Sequence, residues 1–98
     1  MKVKEAIELI NKSEELYYIG DAEDIIDYEK KLASDIDISR QRWYETSTSY
    51  FQLEDGILGI SGLSNIYSEY MMASDCDVQC FAFEGEEFPT ISYRSKKK

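Results

Sequence analysis

Apolar positions recur at helical spacing through the first stretch of the chain. Val3, Ile7 and Ile10 fall on one stripe, widened by Ala6 and Leu9, and predict an amphipathic helix over 2–13. Lys4–Glu8 and Glu8–Lys12 form i,i+4 pairs on its outer face. Leu16-Tyr17-Tyr18-Ile19 either ends that helix or makes a short extended piece. Gly20 then stops the chain, and Asp21 restarts it as the cap of a second helix, with Asp24 in the capping-box position. Ala22, Ile25, Ile26, Leu32 and Ala33 trace the stripe of that second helix, which Glu29 interrupts. Asp21, Glu23, Asp24 and Asp27 favour the positive end of its dipole, and Lys30 and Lys31 the negative end.

The period changes at Trp43. From there to Leu53 the residues alternate and are rich in aromatic and β-branched types, which predicts a strand over 43–53. Asp55-Gly56 signals a two-residue hairpin. A second strand is expected over 57–63, where Gly59 and Gly62 point to a bulge or close packing. Residues 64–75 read as a connection with a helical turn near 67–72. A third strand is expected over 77–84, with Val78, Cys80 and Ala82 on one face and Gln79, Phe81 and Phe83 on the other. Gly85-Glu86-Glu87 reads as a turn, and 88–94 as a fourth strand that Pro89 marks as an edge.

Helices and strands are thus segregated, which is the pattern of an α+β protein. The expected architecture is two N-terminal helices packed on one face of a three- to four-stranded antiparallel sheet. The other face would be partly open and rich in Tyr, Thr and Ser. Ninety-eight residues make a single domain, assigned to 1–93, with 94–98 as a basic flexible tail. No internal repeat is visible. Hydrophobic content of 43% and aromatic content of 13% argue against disorder over most of the chain. Glutamates interrupt any apolar stretch near the N-terminus, and no run reaches the roughly 20 apolar residues of a membrane span. The expected location is cytoplasmic, with no membrane partner.

The chain contains no histidine, which removes the commonest general acid–base group and metal ligand. It shows no glycine-rich phosphate loop and no nucleophile elbow. Cys76 and Cys80 lack two further soft ligands for zinc, and on a strand they would stand too far apart for a disulfide; they read as small buried apolar residues. Asp35-x-Asp37 and Asp75-x-Asp77 lack the glycine and terminal glutamate of a calcium loop. No defined carboxylate pair points to hydrolytic chemistry. The reading is a protein without catalytic residues, metal or cofactor.

Charge carries the remaining signal. Between Glu5 and Tyr93 stand all 20 acids and five bases, a net charge of −15, where the whole chain carries −9. Solubility asks for a magnitude of only about 2–8 in a small domain, and self-repulsion costs stability. Such a field repels nucleic acid and attracts basic protein surfaces. Helix-two carboxylates about one turn apart are spaced roughly 5–6 Å, of the order of phosphates along a DNA strand. Glu54 and Asp55 fall at the first hairpin tip, and Glu86 and Glu87 at the last. Eight tyrosines exceed what one small core needs, and Tyr28 and Tyr50 are candidate contacts among the acids. Trp43 reads as a core anchor. The candidate partner-binding set is Asp21, Glu23, Asp24, Asp27, Glu54, Asp55, Glu86, Glu87, Tyr28 and Tyr50.

The expected function is that of a small acidic inhibitor occupying a basic, nucleic-acid-binding site on a partner protein such as a nuclease. Phage or plasmid anti-defence proteins (of the anti-CRISPR kind) and immunity proteins against nuclease toxins use this physics; the parallel is one of charge and size only. The alternative is an assembly module that self-associates as a homodimer or binds a partner through its open sheet face or its edge strand.

Overall fold

A computed structural model describes the backbone of 1–88 and 92–95, and the side chains of these residues other than 35, 87, 88, 92 and 94. The first apolar stripe folds as predicted into α1 (Val3–Lys12), which buries Val3, Ala6 and Ile10. The N-terminus of α1 is held from across the molecule, where the Val3 N–H donates to Asp55 Oδ1 at 2.8 Å. At its other end Ser13 Oγ donates to the Leu9 carbonyl at 2.8 Å.

Residues 16–18 take the extended alternative. Leu63 N–H donates to the Tyr17 carbonyl at 2.9 Å and Cys80 N–H to the Leu16 carbonyl at 2.7 Å, and Tyr18 makes an isolated parallel bridge to Leu63. The second helix, α2 (Ile19–Ile25), begins earlier and ends much sooner than the sequence predicts. Tyr18 occupies the cap position, so Asp21 sits inside the first turn and does not cap. The segment read as its second half is strand β1 (Lys30–Arg40). Glu29 already breaks the helical stripe, and Ile36, Asp37 and Ile38 alternate with period two. Pairing with the next strand then satisfies the backbone, starting with Glu29 N–H to the Gln52 carbonyl at 2.8 Å.

β2 (Tyr44–Leu53) and β3 (Gly56–Ile66) form the expected hairpin, with β3 longer than predicted. Leu53 pairs with Gly56, so Glu54 and Asp55 are the two turn residues and Gly56 is the first of β3. No glycine among the described residues has positive φ, so this is not the Asp-Gly turn the sequence suggests. The connection holds a 3-10 turn at Ala73–Cys76, not at 67–72. β4 (Phe81–Phe88) starts four residues late and runs straight through Gly85-Glu86-Glu87, which is therefore strand and not turn. Gly85 is accommodated because Ile57 and Tyr50 side chains occupy the space a Cβ would need. β5 (Ser92–Ser95) is the outer strand, so Arg94 and Ser95 of the expected tail are in the sheet. Pro89 and 96–98 lie outside the described residues.

The result is α+β as expected, with five antiparallel strands in the order β1-β2-β3-β4-β5. Both helices lie on one face, α1 across β4 and β3 and α2 across β3 and β2. Val3, Ala6, Ile10, Leu16, Ile19, Ala22 and Ile26 pack there on Phe51, Leu53, Leu58, Ile60, Cys80 and Ala82. β5 pairs only with Gly85–Phe88. Upstream, Asn11 of α1 acts as the missing neighbour: Ala82 N–H donates to its Oδ1 at 2.8 Å and its Nδ2 donates to the Ala82 carbonyl at 3.2 Å.

The face turned away from the helices is more aromatic than predicted. Tyr50 is 1% exposed, packed edge-on against Phe83 at 6.0 Å and stacked on Tyr93 at 5.5 Å. Phe83 covers Gly59, its cross-strand partner, so closely that a Cβ there would meet the ring at 2.3 Å.

Candidate functional site

The predicted acids divide by what holds them. Asp21, Asp24 and Asp27 stand exposed along and just beyond α2, and their side chains make no hydrogen bond or ion pair among the described residues. Glu23 is half-buried and engaged: it accepts Tyr28 Oη at 2.6 Å and Lys31 Nζ at 3.0 Å. Burial pushes its carboxyl up, but these two bonds and the Lys31 charge outweigh burial and hold it below the usual carboxylate range. Glu23 is thus a clip that fixes the turn from α2 into β1.

Glu54 is exposed at the β2–β3 tip and lies 3.1 Å from the Met1 ammonium. Glu54, Asp27 and Glu5 all act on that ammonium and raise its pKa, the bond from Glu54 most strongly. This places the end of α2 beside the hairpin tip, so an acidic band runs from Asp21 through Asp24 and Asp27 to Glu54. Asp55 belongs to the same tip but is spent on capping α1.

Glu86 and Glu87 are not at a hairpin tip. Ile57 pairs with Gly85, so Glu86 lies level with Gly56, and β4 runs on past the end of β3 at the rim that carries Glu54 and Asp55. Glu86 is half-buried and pairs in register with Arg94. Lys4 lines one surface hollow with Asp55 and Glu84 at this rim, so a base remote in sequence returns beside the acids. The Met1 ammonium and Lys4 thus temper the charge of this rim, while Asp21, Asp24 and Asp27 stand exposed on the α2 side.

Neither chosen tyrosine is an open contact. Tyr28 packs on Phe51 with ring centroids 4.8 Å apart and spends its hydroxyl on Glu23. Tyr50 is interior, and burial, with a smaller contribution from Asp37, pushes its phenol up.

The aromatic surface lies at the other end of the sheet. Trp43, read as a core anchor, is 46% exposed at the β1–β2 turn. The Arg42 guanidinium lies 4.7 Å from its ring centre, and that of Arg40 lies 4.5 Å from the ring of Tyr67. Tyr67 Oη donates to Glu45 at 3.0 Å, and its N–H donates to the Trp43 carbonyl at 2.7 Å. Exposed Tyr70 and Met72 follow in the next loop. Trp, Tyr and Arg are the residue types enriched at binding hot spots. The signal available in the sequence was Arg40-Gln41-Arg42-Trp43, two bases and a tryptophan between polar residues, which also suits a hairpin turn.

Both cysteines are buried and unbridged. Cys80 Sγ donates to the Tyr17 carbonyl at 3.2 Å, and burial, aided by Asp21, pushes its thiol up to about 12. Among the described residues no group of three or more Cys, Asp or Glu is placed to hold a metal, and no helix is long and apolar enough to cross a membrane. Comparison with protein-family models, with curated proteins and with solved structures finds no match.

Proposed function

We propose that this protein is an inhibitor-like interaction protein. Its acidic band docks onto a basic surface of a partner and, where that surface handles nucleic acid, excludes DNA or RNA by competition. The observation that carries the reading is the set Asp21, Asp24 and Asp27, exposed and unpaired on the helical layer next to Glu54. Unpaired carboxylates gathered along and just beyond one helix keep their field directed outward, which steers a cationic surface and penalises wrong partners. The partner class is a basic protein such as a nuclease, met in the cytoplasm; anti-defence and immunity proteins remain the biological settings that match this physics.

A nuclease-treated pull-down from the native extract, eluted by a salt step, tests this. The expected result is a nucleic-acid-handling protein released at moderate to high salt, lost with the triple variant Asp21→Lys/Asp24→Lys/Asp27→Lys. Binding that survives both salt and the triple variant removes this reading.

A second reading rests on the Trp43–Tyr67 end with Arg40 and Arg42, an aromatic surface suited to assembly. Strand addition is the weaker route to assembly, because β1 carries three register irregularities and β5 has four residues, both features that blunt an edge. Salt-resistant dimers abolished by Trp43→Ala would favour this second reading.

A further inference from the structure

On the sheet face away from the helices a half-open cavity of about 300 Å³ is lined by residues that include Asp37, Thr46, Thr48, Ser61, Gln79 and Phe81. From the chemistry of this lining we infer that the cavity binds an ammonium or guanidinium group, carried by a small cation or by a basic side chain of another protein. It goes beyond the acidic-band reading and uses none of its residues.

The lining is rich in acceptors and carries a negative charge. Exposed Asp37 brings a carboxylate, and no base among the described residues contributes to the wall. Thr46 Oγ1 directs its hydrogen to the Ser39 carbonyl at 3.5 Å, which leaves its lone pairs. Thr48 and Ser61 share one hydrogen bond at 2.6 Å, and the pair retains further lone pairs. A ligand group that brings several donors and a positive charge satisfies such a wall, whereas an anion would meet Asp37 and the negative body charge. Phe81 lines the cavity and is 55% exposed, which leaves its aromatic ring available to a cation. Asp37 holds a left-handed backbone at φ 51°, a conformation that Asp and Asn tolerate better than most residues. Asn can therefore replace it and remove the charge alone.

The test is an amide chemical-shift titration of the isotope-labelled protein with N-acetylarginine amide and, separately, with its neutral isostere N-acetylcitrulline amide. The expected result is shifts at Thr48, Ser61 and Gln79 with the arginine compound, and much weaker binding of the citrulline compound. Asp37→Asn should weaken arginine binding roughly ten-fold, the loss of one charge-assisted bond. Phe81→Leu, which keeps apolar bulk and loses the ring, should weaken it measurably as a second, independent variant. Tighter binding of agmatine than of an arginine-containing peptide would assign the site to a small cation, and the reverse to a protein side chain; either upholds the inference. Equal binding of the citrulline compound, or indifference to both variants, overturns it. Shifts confined to Asp21, Asp24 and Asp27 also overturn it, and leave the acidic-band reading standing.

Discussion

Single residues are decided by what they touch, as the two engaged carboxylates show. Glu23 and Asp55 carry the same charge as Asp24 but are consumed by a clip and a helix cap. Sequence spacing lists all three alike, because hydrogen-bond partners five and 52 positions away are invisible to it. Cys80 shows the converse. Its spacing to Cys76 suggested an inert buried residue, and the structure supplies the reason: the sulfur fills the space beside Gly62, where a Cβ would come within 2.5 Å of it. Burial keeps the folded thiol protonated to about pH 12, while an unfolded thiol ionises near 8.5. The group's contribution to stability is therefore complete below about pH 8.5 and is lost as pH rises from there through 12. In a Cys76→Ser background, Cys80 should resist a thiol reagent at pH 8 in the native state and react at once in guanidinium. Native labelling at the rate of a model peptide would contradict this packing.

Elements are decided by competition between local period and long-range pairing. α1 and the β2–β3 hairpin were legible because their periodic signal is long and uninterrupted. The second half of the predicted α2 was misread because Leu32 and Ala33 suit a helical stripe, and only the edge of β2 makes the strand alternative available. The same competition explains Gly85: it reads as a turn residue, yet in the sheet its missing side chain admits Ile57 and Tyr50. Asn11 is the element-scale feature with no sequence signature. It sits in the last turn of α1 and closes the open edge of β4 at Ala82 with both halves of its amide. Asn11→Ala should leave that N–H and carbonyl unpaired and cost about 1–3 kcal/mol. In a domain of this size that is a melting-temperature drop of roughly 4 °C or more, and it should be accompanied by faster amide exchange at Ala82. An unchanged melting curve would show that α1 is held to β4 by apolar packing alone.

At the scale of the whole molecule the charge is unevenly held. The rim of Glu54 and Asp55 is tempered by the Met1 ammonium and Lys4, while Lys31, beside α2, is already bound to Glu23. Repulsion among Asp21, Asp24 and Asp27 should therefore be the dominant strain at low ionic strength. Raising salt shortens the screening length from about 30 Å at 0.01 M to about 8 Å at 0.15 M. The melting temperature should accordingly rise with salt, and Asp21→Lys/Asp24→Lys/Asp27→Lys should flatten that rise while keeping the fold. A salt response equal in the variant and the parent would mean that the repulsion is spread over the surface.

The amino-acid sequence by itself determined the α+β class, the order of helices before strands, the position of the β2–β3 hairpin and the acidic character of the body. These follow from periodicity and composition, which are local or additive. Tertiary structure alone decided that β1 is a strand, that Trp43 faces solvent and Tyr50 does not, and which carboxylates stay unpaired. Each of those outcomes depends on a partner distant along the chain, and a one-dimensional pattern carries no information about which distant groups the fold will bring together.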